Sequence, residues 1–136
     1  MSDKEQTLSI IKPDAVERNL DNEIKEIFKN NGFLIVKEKK IQIEKSEAEK
    51  FYNVHQTKPF YNDLCAYLSS GPIVVMILEK ENAVLANREL MGATNPNDAQ
   101  EGTIRKKYGI SIDKNSVHGS DSLENAKIEI NFFFKD

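Results

Sequence analysis

Residues Ile73 to Leu78 constrain the fold more than any other part of this sequence. They form its longest apolar run, six residues that follow Gly71 and Pro72. A strand without polar positions has no face suited to water, and such strands lie in the middle of a sheet. We therefore expect this segment to form a central strand, covered on both sides or covered by a partner subunit.

The segments before this run alternate between strand and helix patterns. Thr7 to Ile11 is typical of a buried strand, which ends before Pro13 because proline cannot donate to a ladder. Apolar residues recur at i, i+4, i+7 and i+8 between Leu20 and Phe28, which predicts one apolar face of a helix. The β-branched segment from Phe33 to Ile43 predicts a second strand after the turn at Asn31-Gly32.

Three further helices and one long connection are predicted in the middle of the chain. Ser46 and Glu49 have the spacing of a capping box, and a second short helix is predicted after Pro59. The pattern from Glu81 to Met91 predicts a third helix. From Ala93 to Lys114 no clear periodicity exists, and we expect a functional connection rather than regular structure there.

The remaining segments complete the order of elements. A short strand is predicted at Ser116 to His118, followed by a helix that is capped by Asp121 or Ser122 and continues toward Phe134. The order strand, helix, strand, strand, helix, strand predicts an α+β fold, a ferredoxin-like βαββαβ sandwich with a four-stranded antiparallel sheet and helical insertions. Because the chain has 136 residues, we expect a single domain over residues 1–136.

The charge balance argues against several classes of partner. Lys and Arg total 19 and Asp and Glu total 22, which gives a net charge of −3. Without a broad basic field we expect no stable nucleic-acid binding and no membrane binding. No Gly-rich Walker loop is present, and the single cysteine, Cys65, excludes a disulfide framework. The polar N-terminal segment and the lone thiol lead us to expect a cytoplasmic protein.

His118 is one of two histidines and stands where a predicted strand meets a predicted helix. Gly119 follows it, so a ligand could approach the backbone closely, and helix starts favour anions. This position suits a histidine that meets a phosphate, but a surface histidine ahead of a helix cap explains the local sequence equally well. His55 lies in a polar stretch, which indicates a solvated side chain.

Three cations stand at positions where the pattern does not call for a charge. Lys12 follows the first strand, Arg88 lies within a core-forming helix, and Arg105 lies in the aperiodic segment. Each alone is more often a solvated charge or an ion-pair partner. Together with Thr94 and His118 they would form a phosphate clamp, because Arg binds phosphate oxygens bidentately and Lys adds a point charge.

Four aromatic residues lie in or beside the short predicted helices: Tyr52, Phe60, Tyr61 and Tyr67. Their helical neighbours suit core packing, and one of them could instead stack on a base. The pattern alone does not separate these two interpretations.

Six segments make the sequence similar to the nucleoside diphosphate kinase family, nearly end to end from Thr7 to Phe133. In chain order these segments are Ile11-Lys12-Pro13-Asp14-Ala15, Lys58-Pro59-Phe60, Ser69-Ser70-Gly71-Pro72, Met91-Gly92-Ala93-Thr94-Asn95-Pro96, Gly102-Thr103-Ile104-Arg105 and Asn115 to Ser122. The last segment contains the family's active-site signature, a histidine followed by Gly-Ser-Asp.

The resemblance implies a ping-pong enzyme that transfers the γ-phosphate of a nucleoside triphosphate, commonly ATP, to a nucleoside diphosphate. His118 would be the nucleophile and form a phosphohistidine, while Glu129 would orient its imidazole with help from Ser120. An imidazole is partly unprotonated near neutral pH and can attack phosphorus without a strong base. The alternative is a catalytically silent nucleotide-binding regulatory module, which would be expected to lack His118, Lys12 or Arg105.

The same resemblance implies which residues hold the nucleotide. The phosphates would be bound by Lys12, Arg88, Thr94 and Arg105. Tyr52 would lie beside Lys12 and the histidine, and Asn115 would reach the ribose hydroxyls. The base would stack on Phe60 in an apolar slot completed by Leu64 and Ile112.

The resemblance also implies a metal and a quaternary structure. Mg²⁺ would arrive on the nucleotide phosphates, with at most water-mediated contact from Asp121, because this ion usually keeps several waters. The family forms hexamers or tetramers, so a homo-oligomer is implied. The sequence itself supports assembly only through two apolar segments, Phe132 to Phe134 and Ile73 to Leu78.

Overall fold

The computed structural model describes residues 4–53, 56–59, 61–111 and 114–134. In chain order the elements are β1 (Lys4–Ile11), α1 (Pro13–Glu17), α2 (Asp21–Asn30), β2 (Leu34–Ile41), α3 (Lys45–Phe51), α4 (Tyr61–Leu68), β3 (Ile73–Glu81), α5 (Ala83–Met91), α6 (Ile104–Tyr108), β4 (Val117–Gly119) and α7 (Leu123–Phe133). A short 3-10 helix, Pro96–Asp98, lies between α5 and α6. None of the helices that the structure describes is long and apolar enough to cross a membrane.

The strands form one sheet in the order β2-β3-β1-β4. All three neighbouring pairs are antiparallel, and in the central pair Thr7 lies opposite Leu78 and Ile11 opposite Val74. β4 pairs only with the end of β1, where His118 lies opposite Ile10. This topology confirms the predicted α+β fold, a ferredoxin-like arrangement with a four-stranded antiparallel sheet.

Both faces of β3 are covered by helices of the same chain. Val74, Met76 and Leu78 belong to an apolar cluster, the first cluster, that includes residues of α1, α2, α5 and α6. Ile73 and Val75 belong to the second cluster, which includes residues of α3, α4 and α7. Since alternate side chains of a strand point to opposite faces, one apolar run supplies both clusters. The prediction of a central strand is confirmed, and no partner subunit is needed to cover it.

The segment from residue 93 to 114 contains more regular structure than its sequence indicates. α6 begins after Thr103, whose side chain accepts a hydrogen bond from the Lys106 backbone nitrogen at 3.3 Å. Ile104 and Tyr108, four residues apart, bury their side chains in the first cluster. Five residues are too few to show a helical period, so the prediction of an aperiodic connection was wrong for α6 and for Pro96–Asp98.

The predicted capping box lies two residues too late. α3 starts at Lys45, with Glu44 as its N-cap, and the Glu47 carboxylate accepts a bond from the Glu44 backbone nitrogen at 3.1 Å. Either start places Ala48 in the helix, where this fully buried residue joins the second cluster. The other predicted cap is confirmed at Ser122, whose side chain accepts from the Asn125 backbone nitrogen.

Candidate active site

The segment from Asn115 to Ser120 brings the candidate site residues together. It contains β4, which is only three residues long and pairs antiparallel with the last three residues of β1. Val117 faces the first cluster, and the side chain of His118 contacts residues of α3 and α7 on the other face of the sheet. A short edge strand therefore presents the histidine between α7, which follows it closely in the chain, and α3, which comes from a distant part of the chain.

The imidazole of His118 is held by a carboxylate of α7. Its Nε2 lies 3.0 Å from Glu129 Oε1, and the Ser120 hydroxyl donates to the same oxygen at 2.9 Å. The side chains of His118 and Glu129 are 21% and 17% exposed, so both remain accessible. With Nε2 facing the carboxylate, the second ring nitrogen, Nδ1, is left to meet a ligand.

Two aromatic rings of α3 and its C-cap also flank the histidine. The rings of Phe51 and His118 are 5.3 Å apart and nearly perpendicular. The Tyr52 ring lies 6.5 Å from the imidazole, and Tyr52 is buried. Burial, reinforced by the negative charge of Glu129, raises the pKa of the Tyr52 hydroxyl, which therefore keeps its proton at neutral pH. Phe51 was missed by the sequence analysis, because no local pattern links a residue of α3 to β4.

A second set of contacts links three predicted phosphate and ribose ligands. Lys12 Nζ donates to Asn115 Oδ1 at 2.9 Å, and Asn115 Nδ2 donates to the Thr94 carbonyl at 3.0 Å. Lys12 and Asn115 are both nearly buried, at 5% and 2% exposure. The side chains of Lys12 and Asn115, together with the Thr94 backbone, thus join the end of β1, the segment after α5 and the start of β4.

Arg105 lies against the backbone of β4 and of the segment that follows α5. Its guanidinium donates to the Val117 carbonyl at 2.9 Å and to the Gly92 carbonyl at 3.0 Å, and its Nε has no partner among the described residues. Across the described ranges no carboxylate pairs with it. Burial, and then the positive charge of Arg88, lower the pKa of Arg105 to about 10. A buried cation bonded only to neutral carbonyls is suited to bind an anion.

Arg88 and Asp121 line the same cavity, which has a volume of about 240 Å³ and also contacts Glu5. Arg88 is exposed on α5, and its charge acts on Arg105. Two guanidinium groups that repel one another in the absence of an anion are a common arrangement for phosphate binding. Asp121 Oδ1 accepts a bond from Asn125 Nδ2 at 2.6 Å.

The predicted base slot is only partly visible. Leu64 is half-buried on α4 and packs against the second cluster. Phe60 and Ile112, its two predicted companions, lie outside the described residues, as does His55. The base slot therefore stays a prediction.

The acidic residues near the site are bonded to neighbouring side chains. In the part of the chain that the structure describes, no group of three or more His, Cys, Asp or Glu side chains could hold a metal. Glu129 is engaged by His118 and Ser120, and Asp121 by Asn125. Asp121 and Arg88 line the same cavity, so one carboxylate lies beside a predicted phosphate ligand.

A buried polar network beneath the site was also missed by the sequence analysis. The Asp14 carboxylate, directly after Lys12-Pro13, accepts bonds from Arg18, Ser116 and Tyr67. The partners come from separate parts of the chain, and only the position of Asp14 beside the end of a buried strand could have indicated a buried acid.

The comparisons with known proteins agree with this geometry. The family model described as nucleoside diphosphate kinase matches residues 5–136. A nucleoside diphosphate kinase of Campylobacter jejuni is 60% identical over 131 residues, 96% of each chain, and one of a Nitratiruptor species is 60% identical over 130 residues, 96% of this chain and 95% of the other.

Solved structures of the same family superpose closely on the chain. The Aquifex aeolicus nucleoside diphosphate kinase matches with a TM-score of 0.95 and 38% identity, covering 97% of this chain and 96% of that one. The Encephalitozoon cuniculi nucleoside diphosphate kinase matches with a TM-score of 0.94 and 36% identity, covering 97% and 90%. The chain therefore belongs to the nucleoside diphosphate kinase family.

Proposed function

We propose that the chain transfers the γ-phosphate of ATP, or of another nucleoside triphosphate, to a nucleoside diphosphate, and that His118 carries the phosphate between them. The observation that supports this role most directly is the 3.0 Å contact between His118 Nε2 and Glu129 Oε1. It keeps the imidazole proton on Nε2, so that the lone pair of Nδ1 is available to a phosphorus atom.

The proposed reaction has two mirror-image steps. In the first, Nδ1 attacks the γ-phosphorus, the bond between that phosphorus and the bridging oxygen breaks, and the nucleoside diphosphate leaves with the electron pair. In the second, a terminal phosphate oxygen of the acceptor diphosphate attacks the same phosphorus, and the bond to Nδ1 breaks. Glu129 stabilises the imidazolium that forms when Nδ1 carries the phosphate, and Ser120 holds the carboxylate in place.

The cations would bind the phosphates in both steps. Arg105 is the strongest candidate, because it is buried and bonded to two carbonyls but to no carboxylate among the described residues. Lys12, Arg88 and Thr94 would complete the clamp. Phosphoryl transfer asks the protein mainly to position groups and to neutralise spreading negative charge, which this set can do.

The remaining assignments concern the nucleoside and the metal. Asn115 would reach the ribose, and the protonated Tyr52 would donate hydrogen bonds near the transferred phosphate. The base would stack on Phe60 between Leu64 and Ile112, a contact that tolerates any base. Asp121 would reach Mg²⁺ through water, and the bound ion would neutralise charge on the phosphates.

We also propose that the protein works in the cytoplasm as a homo-oligomer, a hexamer or a tetramer. The two apolar segments expected to support assembly do not do so, since β3 is buried within the chain and Phe133 lies in the second cluster. Support comes instead from α7, on which Leu123 and Ile128 are 44% and 62% exposed and line one open cavity. Light scattering of the purified protein measures the number of subunits.

Phosphorylation of the protein itself tests the proposed function. With Mg²⁺ and labelled ATP alone, we expect one acid-labile, base-stable phosphate per chain, which GDP then removes as GTP. The variant His118→Ala should take up no label. His55→Ala, the matched change of the only other histidine in the sequence, should label as the parent does. Full labelling of His118→Ala would contradict the mechanism.

A further inference from the structure

Ser116 has a backbone conformation that serines rarely adopt. Its φ is +73°, in the left-handed region, and the residue is fully buried. The Val117 backbone nitrogen donates to the Asn115 carbonyl at 2.9 Å, which closes a three-residue turn centred on Ser116. Turns of this kind with a positive φ at the central residue are rare and strained for residues other than glycine.

The side chain of Ser116 is anchored in the buried network that the fold places below the turn. Its hydroxyl donates to Asp14 Oδ2 at 2.9 Å, and Arg18 donates to the same carboxylate oxygen at 3.1 Å. Tyr67 donates to the other oxygen, Oδ1. Asp14 itself is only 5% exposed, so this carboxylate has a fixed position from which to hold the turn.

The turn lies between the two groups of side chains that form the site. The Ser116 carbonyl accepts a bond from the Lys12 backbone nitrogen at 2.8 Å. The preceding residue, Asn115, bonds through its side chain to Lys12 and Thr94, and His118 follows two residues later. A rotation of the backbone at Ser116 would therefore change the direction of Asn115 relative to His118.

We propose that Ser116 is a positioning residue for the phosphotransfer site, because its bond to Asp14 holds the turn in the left-handed conformation that orients Asn115 and His118. This inference rests on the proposed function of His118. Activity then depends on the backbone conformation of the turn. The hydroxyl contributes only by stabilising this conformation, which is strained for any residue that has a Cβ atom.

Two substitutions separate this role from a purely structural one. Ser116→Ala removes the hydroxyl and keeps the Cβ atom, so the turn loses its anchor and remains strained. Ser116→Gly removes both, and glycine adopts a positive φ without strain. The matched control is Thr7→Val on β1, which deletes a buried hydroxyl that has no hydrogen-bond partner in the described part of the chain.

The readouts are the rate of His118 phosphorylation by Mg-ATP, measured where every variant is folded, and the NMR signals of the His118 imidazole. We expect Ser116→Ala to slow phosphorylation about tenfold, since misplaced reacting groups lose rate steeply. Ser116→Gly should regain most of the parent rate and the parent imidazole shifts. Thr7→Val should stay within about twofold of the parent.

Two results would overturn the inference. One is a parent-like rate and imidazole spectrum in Ser116→Ala. The other is a Ser116→Gly variant as slow as Ser116→Ala, which would show that the hydroxyl itself is required as a partner of Asp14. A parent chain that takes up no phosphate would instead refute the proposed function, and the NMR spectra would still show whether the turn controls the imidazole.

Discussion

The two edge strands of the sheet are built in opposite ways. β2 runs for eight residues, Leu34–Ile41, and pairs with β3 along its length, with one irregularity between Ile35 and Lys37. Its side chains are mostly exposed, and several are charged. β4 has only three residues, Val117–Gly119, and the residues around it are buried and joined by polar side chains. β2 is held by a long ladder of main-chain hydrogen bonds, whereas β4 is held mainly by a few specific side chains.

This difference separates the part of the sheet that supports the fold from the part that supports the chemistry. A ladder of main-chain hydrogen bonds depends little on side-chain identity, so β2 can carry a varied sequence. β4 depends on Arg105, which bonds to the Val117 carbonyl, and on Ser120, which accepts a bond from the Leu8 backbone nitrogen. Polar substitutions should therefore have large effects near β4 and small effects on β2.

The largest difference in kcat/KM is expected between substitutions of Arg105, which bonds to β4, and of Lys40, which lies on β2. Arg105→Met should lower kcat/KM roughly a thousandfold, because it removes both a phosphate-binding charge and a support of β4. Lys40→Met on β2, whose side chain is 55% exposed, should change kcat/KM by less than about twofold. Steady-state kinetics with ATP and GDP measure both. A loss below about tenfold in Arg105→Met would show that Arg105 is not a main phosphate ligand.

The pH dependence of kcat/KM tests the charge of Arg105 directly. The pKa of Arg105 is lowered to about 10, so the folded protein binds this proton less tightly than an unfolded chain does. As the pH rises through about 10, phosphate binding should fall, about tenfold per pH unit, while this group's contribution to folding stability rises. In Arg105→Lys the decline should shift in pH, and an unshifted decline would assign it to another group.

Stability should respond to packing at β4 more than at β2. A Cβ atom added at Gly119 would contact the Asn87 side chain and would lie 2.7 Å from Met91 Cε, inside normal contact distance. Gly119→Ala should therefore lower the free energy of unfolding by about 1–3 kcal/mol. Val36→Ala on β2, where the parent residue is 38% exposed, should cost less than about 1 kcal/mol. Urea unfolding measures both, and equal midpoints would contradict the contrast.

The smallest effect is expected at an ion pair of β2. Lys25 Nζ lies 2.5 Å from Glu38 Oε1, and the Glu38 side chain is 42% exposed. Glu38→Gln should change the free energy of unfolding by about 0.5 kcal/mol or less, because water screens exposed pairs. The change should shrink further in high salt. A loss above about 2 kcal/mol would mean that β2 also depends on specific side chains.

Those parts of the molecule that follow from local patterns could be predicted from the sequence. The apolar run at Ile73 to Leu78 predicted a central strand, and the spacing from Leu20 to Phe28 predicted α2, because each pattern reflects one buried face. α6 was missed because five residues do not complete a recognisable period. The start of α3 was misplaced because Glu44 and Glu47, two residues earlier in the chain, form the capping box instead of Ser46 and Glu49.

Some residues of the candidate site could likewise be identified from the sequence, whereas the contacts between them could not. Lys12 and Arg105 stand out in the sequence because their charges interrupt apolar or irregular segments, and His118 stands out because it lies where a predicted strand meets a predicted helix. The contacts of Phe51 with His118, and of Asp14 with Ser116, join residues far apart in the chain. Such contacts exist only after the sheet has formed, so no spacing along the sequence indicates them.

The pairing of His118 with Ile10 limits how far the imidazole can move during a reaction cycle. The backbone of His118 is fixed in the sheet, and its imidazole is held by Glu129. A side chain held in this way cannot swing between two separate compartments as the arm of a carrier protein does. In the proposed reaction the nucleotides must therefore move instead, so that donor and acceptor take turns at one position beside the fixed imidazole.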